Sequence, residues 1–134
     1  MQRCVTVAVA DGNRGTRQGL IRRLGRMPDI SVVGEAGDPA EALRVVSDRR
    51  PDVVVLDLRR LAPDGTEFLG RLAEAAAPTR IVVLTAYVRD EERAELTRAG
   101  ARAVLLKEID SEALARTIRA VALQEAGGGR RAEA

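Results

Sequence analysis

The chain has 134 residues, 46% of them hydrophobic and 31% charged, with a formal net charge of +2. This is one domain's worth of ordinary globular sequence, its charges interleaved and without the basic stripe of an autonomous nucleic-acid binder. It has no histidine, one cysteine, and only Phe68 and Tyr87 as aromatics, which excludes histidine-assisted nucleophiles, His or Cys zinc sites, disulfides and a base-stacking platform.

The N-terminus lacks the long apolar region of a secretory signal and no run reaches membrane-spanning length, so a cytoplasmic protein without a membrane partner is expected. Val5 to Ala10 is a short apolar run, with Cys4 read as an apolar residue of the same strand. It ends at Asp11, before the turn Gly12-Asn13-Arg14-Gly15. From Thr16, Leu20, Ile21 and Leu24 recur at helical spacing as far as Gly25. Ile30 to Val33 predicts a second strand. Asp38-Pro39-Ala40-Glu41 then supplies a cap, a proline at the first helical position and a returning glutamate, opening a helix through Leu43, Val45 and Val46.

Val53-Val54-Val55-Leu56 is too short for an isolated helix and too uniformly apolar for an edge strand. It reads as the central strand of a parallel sheet covered on both faces, with Asp57 at its carboxyl end, where ligands collect in open α/β sheets. A carboxylate there, expected to be solvated and ionised on a rigid strand, suits a nucleophile or a metal ligand; it reads equally as a cap that starts a turn.

Pro63-Asp64-Gly65-Thr66 breaks the chain before a helix through Phe68, Leu69 and Leu72, which Pro78 stops. Ile81 to Leu84 is a fourth strand ending at Thr85. Asp90 to Ala99 is a charged helix closed by Gly100. Ala103 to Leu106 is a fifth strand ending at Lys107, and Asp110 caps a last helix carrying Leu114, Ile118, Val121 and Leu123. Residues 1–126 read as one domain, and the Gly-rich 127–134 as a flexible tail or the start of a linker. Five βα units in strict alternation imply α/β architecture, a doubly wound five-stranded parallel sheet with helices on both faces.

The tips of four strands carry Asp11, Asp57, Thr85 and Lys107, which such a sheet gathers along one edge. Lys107 is the only lysine beside 21 arginines, as if a compact ammonium were required there. Singly, each residue is best read as a strand-end cap. Together they suit phosphoryl chemistry: an attacking carboxylate, a neutralising cation, a hydroxyl donor and an acid that helps hold a divalent ion.

Over residues 4 to 124 the chain resembles the receiver domain of bacterial two-component response regulators, the CheY-like, flavodoxin-like (βα)5 fold. The resemblance rests on Val9-Ala10-Asp11, Val54-Val55-Leu56-Asp57-Leu58, Gly65 eight residues on, Val83-Leu84-Thr85-Ala86 and Leu105-Leu106-Lys107-Glu108. The phrases from Pro28 to Ala36 and from Gly100 to Lys107 are similar to the NarL/FixJ subfamily. The resemblance implies Asp57 as phosphoacceptor, Lys107 contacting the phosphoryl group or the aspartate, and Thr85 as switch hydroxyl. It also implies a Mg²⁺ site formed by Asp11, Asp57 and the backbone carbonyl of Arg59. Phosphate would come from a sensor histidine kinase and leave by slow hydrolysis, so the domain is a switch and not a turnover enzyme. DNA would be reached only through an output domain absent from this chain, and a homodimer is expected through the most apolar helical face.

The departures are as informative. Gly12 stands where the family has a second acid, which weakens the metal site. Arg59, two beyond the phosphoacceptor, is expected either to pair with Asp11 or Asp57 in place of the missing cation or to point into solvent. Arg60-Leu61 replaces the usual Met-Pro, with proline delayed to Pro63, so this loop should take a different path. Val104 replaces the aromatic switch residue, and Tyr87 either substitutes for it, gates the phosphate or covers the pocket mouth. Four readings follow: an atypical, phosphorylation-independent receiver in a transcriptional regulator, which the Gly12 change favours; a conventional receiver phosphorylated on Asp57, which the retention of Asp57, Thr85 and Lys107 favours; a stand-alone protein-interaction pseudo-receiver whose pocket Arg59 locks; and, ranked last, a nucleotide-binding domain, since residues 11–15 lack the glycine spacing that cradles a pyrophosphate.

Overall fold

Successive side chains of a strand point to opposite faces of its sheet, so a continuous run of valines feeds two cores at once. In the computed structural model, which describes residues 4–62 and 65–124, this is how β3 (Val53–Leu56) works. Val54 and Leu56 face one core, and Val53 and Val55 the other. The remaining elements are β1 (Val5–Ala10), α1 (Arg14–Gly25), β2 (Ile30–Ala36), α2 (Pro39–Arg49), α3 (Leu58–Leu61), α4 (Thr66–Ala76), β4 (Arg80–Thr85), α5 (Asp90–Ala99), β5 (Ala101–Leu106) and α6 (Ser111–Ala122).

The five strands are all parallel, in the order β2-β1-β3-β4-β5, the doubly wound flavodoxin-like arrangement expected from the sequence. On one face, α2, α4 and α5 pack Val46, Phe68, Leu69, Leu72 and Leu96 against Ala8, Ala10, Ile81 and Val83. On the other, α1 and α6 pack Leu20, Leu24, Leu114 and Ile118 against Val7, Val9, Val82 and Leu84. Phe68 is wholly buried and alone contributes about 2–3 kcal/mol of burial.

Capping fixes where the helices begin. Asp38 accepts from the Glu41 N–H, and Glu41 reaches back to the Gly37 N–H at 2.7 Å, one residue earlier than a reciprocal box requires. Asp110 caps α6 through the Ala113 N–H. Asn13 accepts from the Thr16 N–H, so α1 starts at Arg14 and not at Thr16. Gly100 closes α5 at φ 130°, and a Cβ there would lie 2.6 Å from that of Ala73, so the missing side chain lets α5 approach α4.

Several expectations change. β2 extends to Ala36 and β5 begins at Ala101, each pairing with its neighbour beyond the apolar run that revealed it. Cys4 is exposed and precedes β1. Leu123 follows α6 and is 82% exposed, whereas Leu114, Ile118 and Val121 are buried in their own core. Leu58–Leu61 forms a short helix that the sequence pattern did not reveal. Pro63 and Asp64, the centre of the predicted chain break, and the 127–134 tail lie outside the described residues.

Candidate functional site

The site grows from the order of three strands. β1 and β3 are neighbours, and the Asp57 N–H donates to the Ala10 carbonyl at 3.0 Å, so the tips carrying Asp11 and Asp57 lie side by side. Lys107, leaving β5, donates its backbone N–H to the Thr85 carbonyl at 2.8 Å and sends its ammonium to both acids. It pairs with Asp57 Oδ2 and lies 3.7 Å from Asp11 Oδ2.

Both carboxylates are buried, Asp11 2% and Asp57 6% exposed. This corrects the expectation of a solvated Asp57: the carboxyl group is covered on one side by β1 and on the other by the turn that follows it, and it faces the Lys107 ammonium. Asp57 also caps α3, as the alternative reading had it, Oδ1 accepting from the Arg60 N–H at 3.2 Å. Cap and candidate nucleophile are the same residue. Asp11 Oδ1 accepts from the Asn13 N–H at 2.8 Å, and its backbone carbonyl accepts from Arg17, which is bound in turn to Glu35.

The two arginines after Asp57 diverge, because consecutive residues of a helix point about 100° apart. Arg59 turns away from the acids towards β4 and α5, and does not lie free in solvent either. Its Nη1 donates to Thr85 Oγ1 at 2.8 Å and to the Tyr87 carbonyl at 3.1 Å, Nη2 donates to Glu92 at 2.8 Å, and the guanidinium lies 4.3 Å from the Tyr87 ring centre. Arg60 instead turns towards Asp57, with Nε 3.7 Å from Oδ2 and Nη1 donating to Thr16 Oγ1 at 3.1 Å.

Thr85 is buried, its hydroxyl donating to the Tyr87 carbonyl at 3.0 Å while accepting from Arg59. Its backbone thus joins the cluster through Lys107, while its hydroxyl is committed elsewhere. Accordingly Asp57 and Thr85 line different cavities. One of about 250 Å³ is bounded by Asp11, Asp57, Lys107, Thr16 and Arg23, and one of about 300 Å³ by Leu58, Arg59, Thr85 and Leu96. Tyr87 is 64% exposed beneath Arg59. Val104 is buried, and its carbonyl accepts from Arg93 at 2.5 Å.

Gly12 explains itself sterically: a Cβ there would overlap the backbone carbonyl oxygen of Arg60. The Arg60 backbone carbonyl thus lies against Gly12. The donor set offers a divalent ion fewer hard oxygens than a three-acid pocket, since Mg²⁺ held by one or two carboxylates depends on waters for the rest of its octahedron. Two carboxylates share an ammonium, the position of a third is closed by backbone, and among the described residues no group of three His, Cys, Asp or Glu could hold a metal.

Arg60 and Glu92 were not identified as site residues from sequence. Arg60 carried one signal, its position three residues after a helix-capping aspartate; Glu92, one of several acids at the start of α5, carried none.

A family model described as the response regulator receiver domain matches residues 7–119. The DNA-binding transcriptional activator DevR/DosR of Mycobacterium tuberculosis is 38% identical over 94% of this chain and 56% of its own length. The transcriptional regulatory protein LiaR of Bacillus subtilis is 33% identical over 90% and 57%. The chain thus spans little more than half the length of these curated relatives. Among solved structures, the signal receiver domain of the putative response regulator NarL from Mycobacterium tuberculosis superposes with a TM-score of 0.82 at 29% identity, covering 90% of this chain and 97% of that one.

Proposed function

The chain belongs to the response regulator receiver domain family, and from that premise we propose that it is the receiver switch of a NarL/FixJ-type two-component transcriptional regulator with a degenerate metal pocket. Asp57 is the phosphoacceptor, Lys107 neutralises the phosphoryl oxygens, and Asp11 is what remains of the acidic pocket. Phosphate comes from a sensor histidine kinase in the cytoplasm and leaves by slow hydrolysis, with no other turnover. The domain pairs with a second copy, and DNA is reached through an output domain outside this chain. The observation that carries the reading is the buried Asp57 carboxylate set against Lys107, with Asp11 on the same ammonium. The test is to incubate the protein with acetyl phosphate and Mg²⁺ and weigh it intact. One phosphoryl group is expected on the wild type and none on Asp57→Asn.

A second reading, a phosphorylation-independent interaction module, is favoured by the hold of Arg59 on Thr85. The switch hydroxyl must leave both Arg59 and the Tyr87 carbonyl before it can meet a phosphoryl group. Absence of any adduct, in wild type and in Arg59→Ala, selects this reading.

A further inference from the structure

Gly12 leaves this pocket without the family's second acid, and Arg60, in the place of the usual Met, brings it a cation. Arg60 touches the site four ways: its N–H caps Asp57 Oδ1, its Nε faces Oδ2 at 3.7 Å, its Nη1 is anchored on Thr16 of α1, and its carbonyl fills the space a side chain at residue 12 would need. We infer that Arg60, together with Lys107, supplies the positive charge that a divalent ion would otherwise bring, so that phosphoryl transfer to Asp57 proceeds without metal. The inference rests on the reading of Asp57 as the acceptor.

Charge balance supports it. The two carboxylates with the two cations that face them, Lys107 and Arg60, sum to zero, the same balance as three carboxylates, one lysine and a divalent ion; Arg23, also on the cavity wall, is turned to Ser111 and the Ile109 carbonyl. Geometry supports it as well. The α3 turn brings residue 60 back over its own cap, and Thr16 fixes the guanidinium from a separate helix. The cation is therefore already oriented when charge develops on the phosphoryl oxygens, where preorganised donors act most strongly. Lys107 arrives from β5, so the two cations reach Asp57 from different elements.

In the step itself, a carboxylate oxygen of Asp57 attacks the phosphorus of an acyl phosphate or phosphoimidazole. The new O–P bond forms as the donor's bond to phosphorus breaks, and the bonding pair goes to the leaving carboxylate, or to a neutral imidazole when the ring's other nitrogen already carries a proton. With an acyl phosphate no proton and no electron is left over.

The experiment is intact-mass labelling of the whole chain by acetyl phosphate, in EDTA and in Mg²⁺, on wild type, Arg60→Ala, Arg60→Lys and Asp57→Asn. Arg60 is 47% exposed at its side chain, so its replacement leaves the core intact, and circular dichroism checks this. The wild type should be labelled in EDTA as fast as in Mg²⁺. Arg60→Ala should lose roughly tenfold or more in EDTA, with Arg60→Lys in between. A wild-type adduct that needs Mg²⁺, or Arg60→Ala labelled as fast as wild type or faster, overturns the inference and leaves Asp57 the acceptor. No adduct under any condition removes the acceptor reading and the inference with it.

Discussion

Where the strands begin, Asp29 is held by Arg119 through two bonds of 2.6 and 3.1 Å, and Asp52 accepts both the backbone N–H and the hydroxyl of Thr6. Where the strands end, Asp11 and Asp57 crowd onto one ammonium, one of them 3.7 Å away, with an exposed guanidinium helping the other at 3.7 Å. At the first end each acid has donors of its own in good geometry, which is how a fold is stabilised. At the second, like charges share a cation and part of their hydrogen-bonding capacity faces a cavity, which leaves that end able to act on something else.

The largest effect should come from Lys107→Ala, which strands two buried carboxylates and should cost about 3 kcal/mol in urea unfolding. Adding Asp57→Asn to it should restore part of that loss, since the second change removes one of the stranded charges. Gly12→Asp comes next. To seat a side chain the protein must push back the Arg60 carbonyl, a loss of about 2 kcal/mol by overpacking, and calorimetric titration should find no tight Mg²⁺ binding gained. Asp57→Asn alone should be stabilising by up to about 1 kcal/mol, because Asn keeps the cap on α3 while relieving the crowding. If it instead destabilised as Lys107→Ala does, the two ends would not differ.

The smallest effect belongs to Arg119→Ala, and its pH dependence identifies it. The hydrogen bond from Arg119 holds the Asp29 carboxyl below the ordinary carboxylate range. A group whose pKa is lowered by folding stabilises the protein above its unfolded pKa and loses that contribution as pH falls through the folded one. The difference between wild type and Arg119→Ala should therefore be full at neutral pH and shrink in acid.

What could be read beforehand, and what could not, divides by the range of the interaction. The Val53–Leu56 run, the caps at Asp38 and Asp110 and the closure at Gly100 are local patterns, and they led to the sheet, its helices and the tips carrying Asp11, Asp57 and Lys107. The direction of Arg59 and Arg60 depends on a helical turn only four residues long, Leu58-Arg59-Arg60-Leu61, too short to show a period. The commitment of the Thr85 hydroxyl depends on Tyr87 and Glu92, whose approach is set by the packing of α5. The burial of Asp57 was missed because a strand tip alone does not reveal the turn that folds over it.

The single backbone bond from Lys107 to the Thr85 carbonyl has a consequence for how a signal would cross this domain. The Lys107 ammonium that holds Asp57 and the Thr85 hydroxyl that holds Arg59 hang from opposite ends of one rung, so a displacement of either tip tugs on the other's mooring. By thermodynamic reciprocity, any partner that docks more tightly when Arg59 lets go must, to the same degree, favour whatever event at Asp57 releases it.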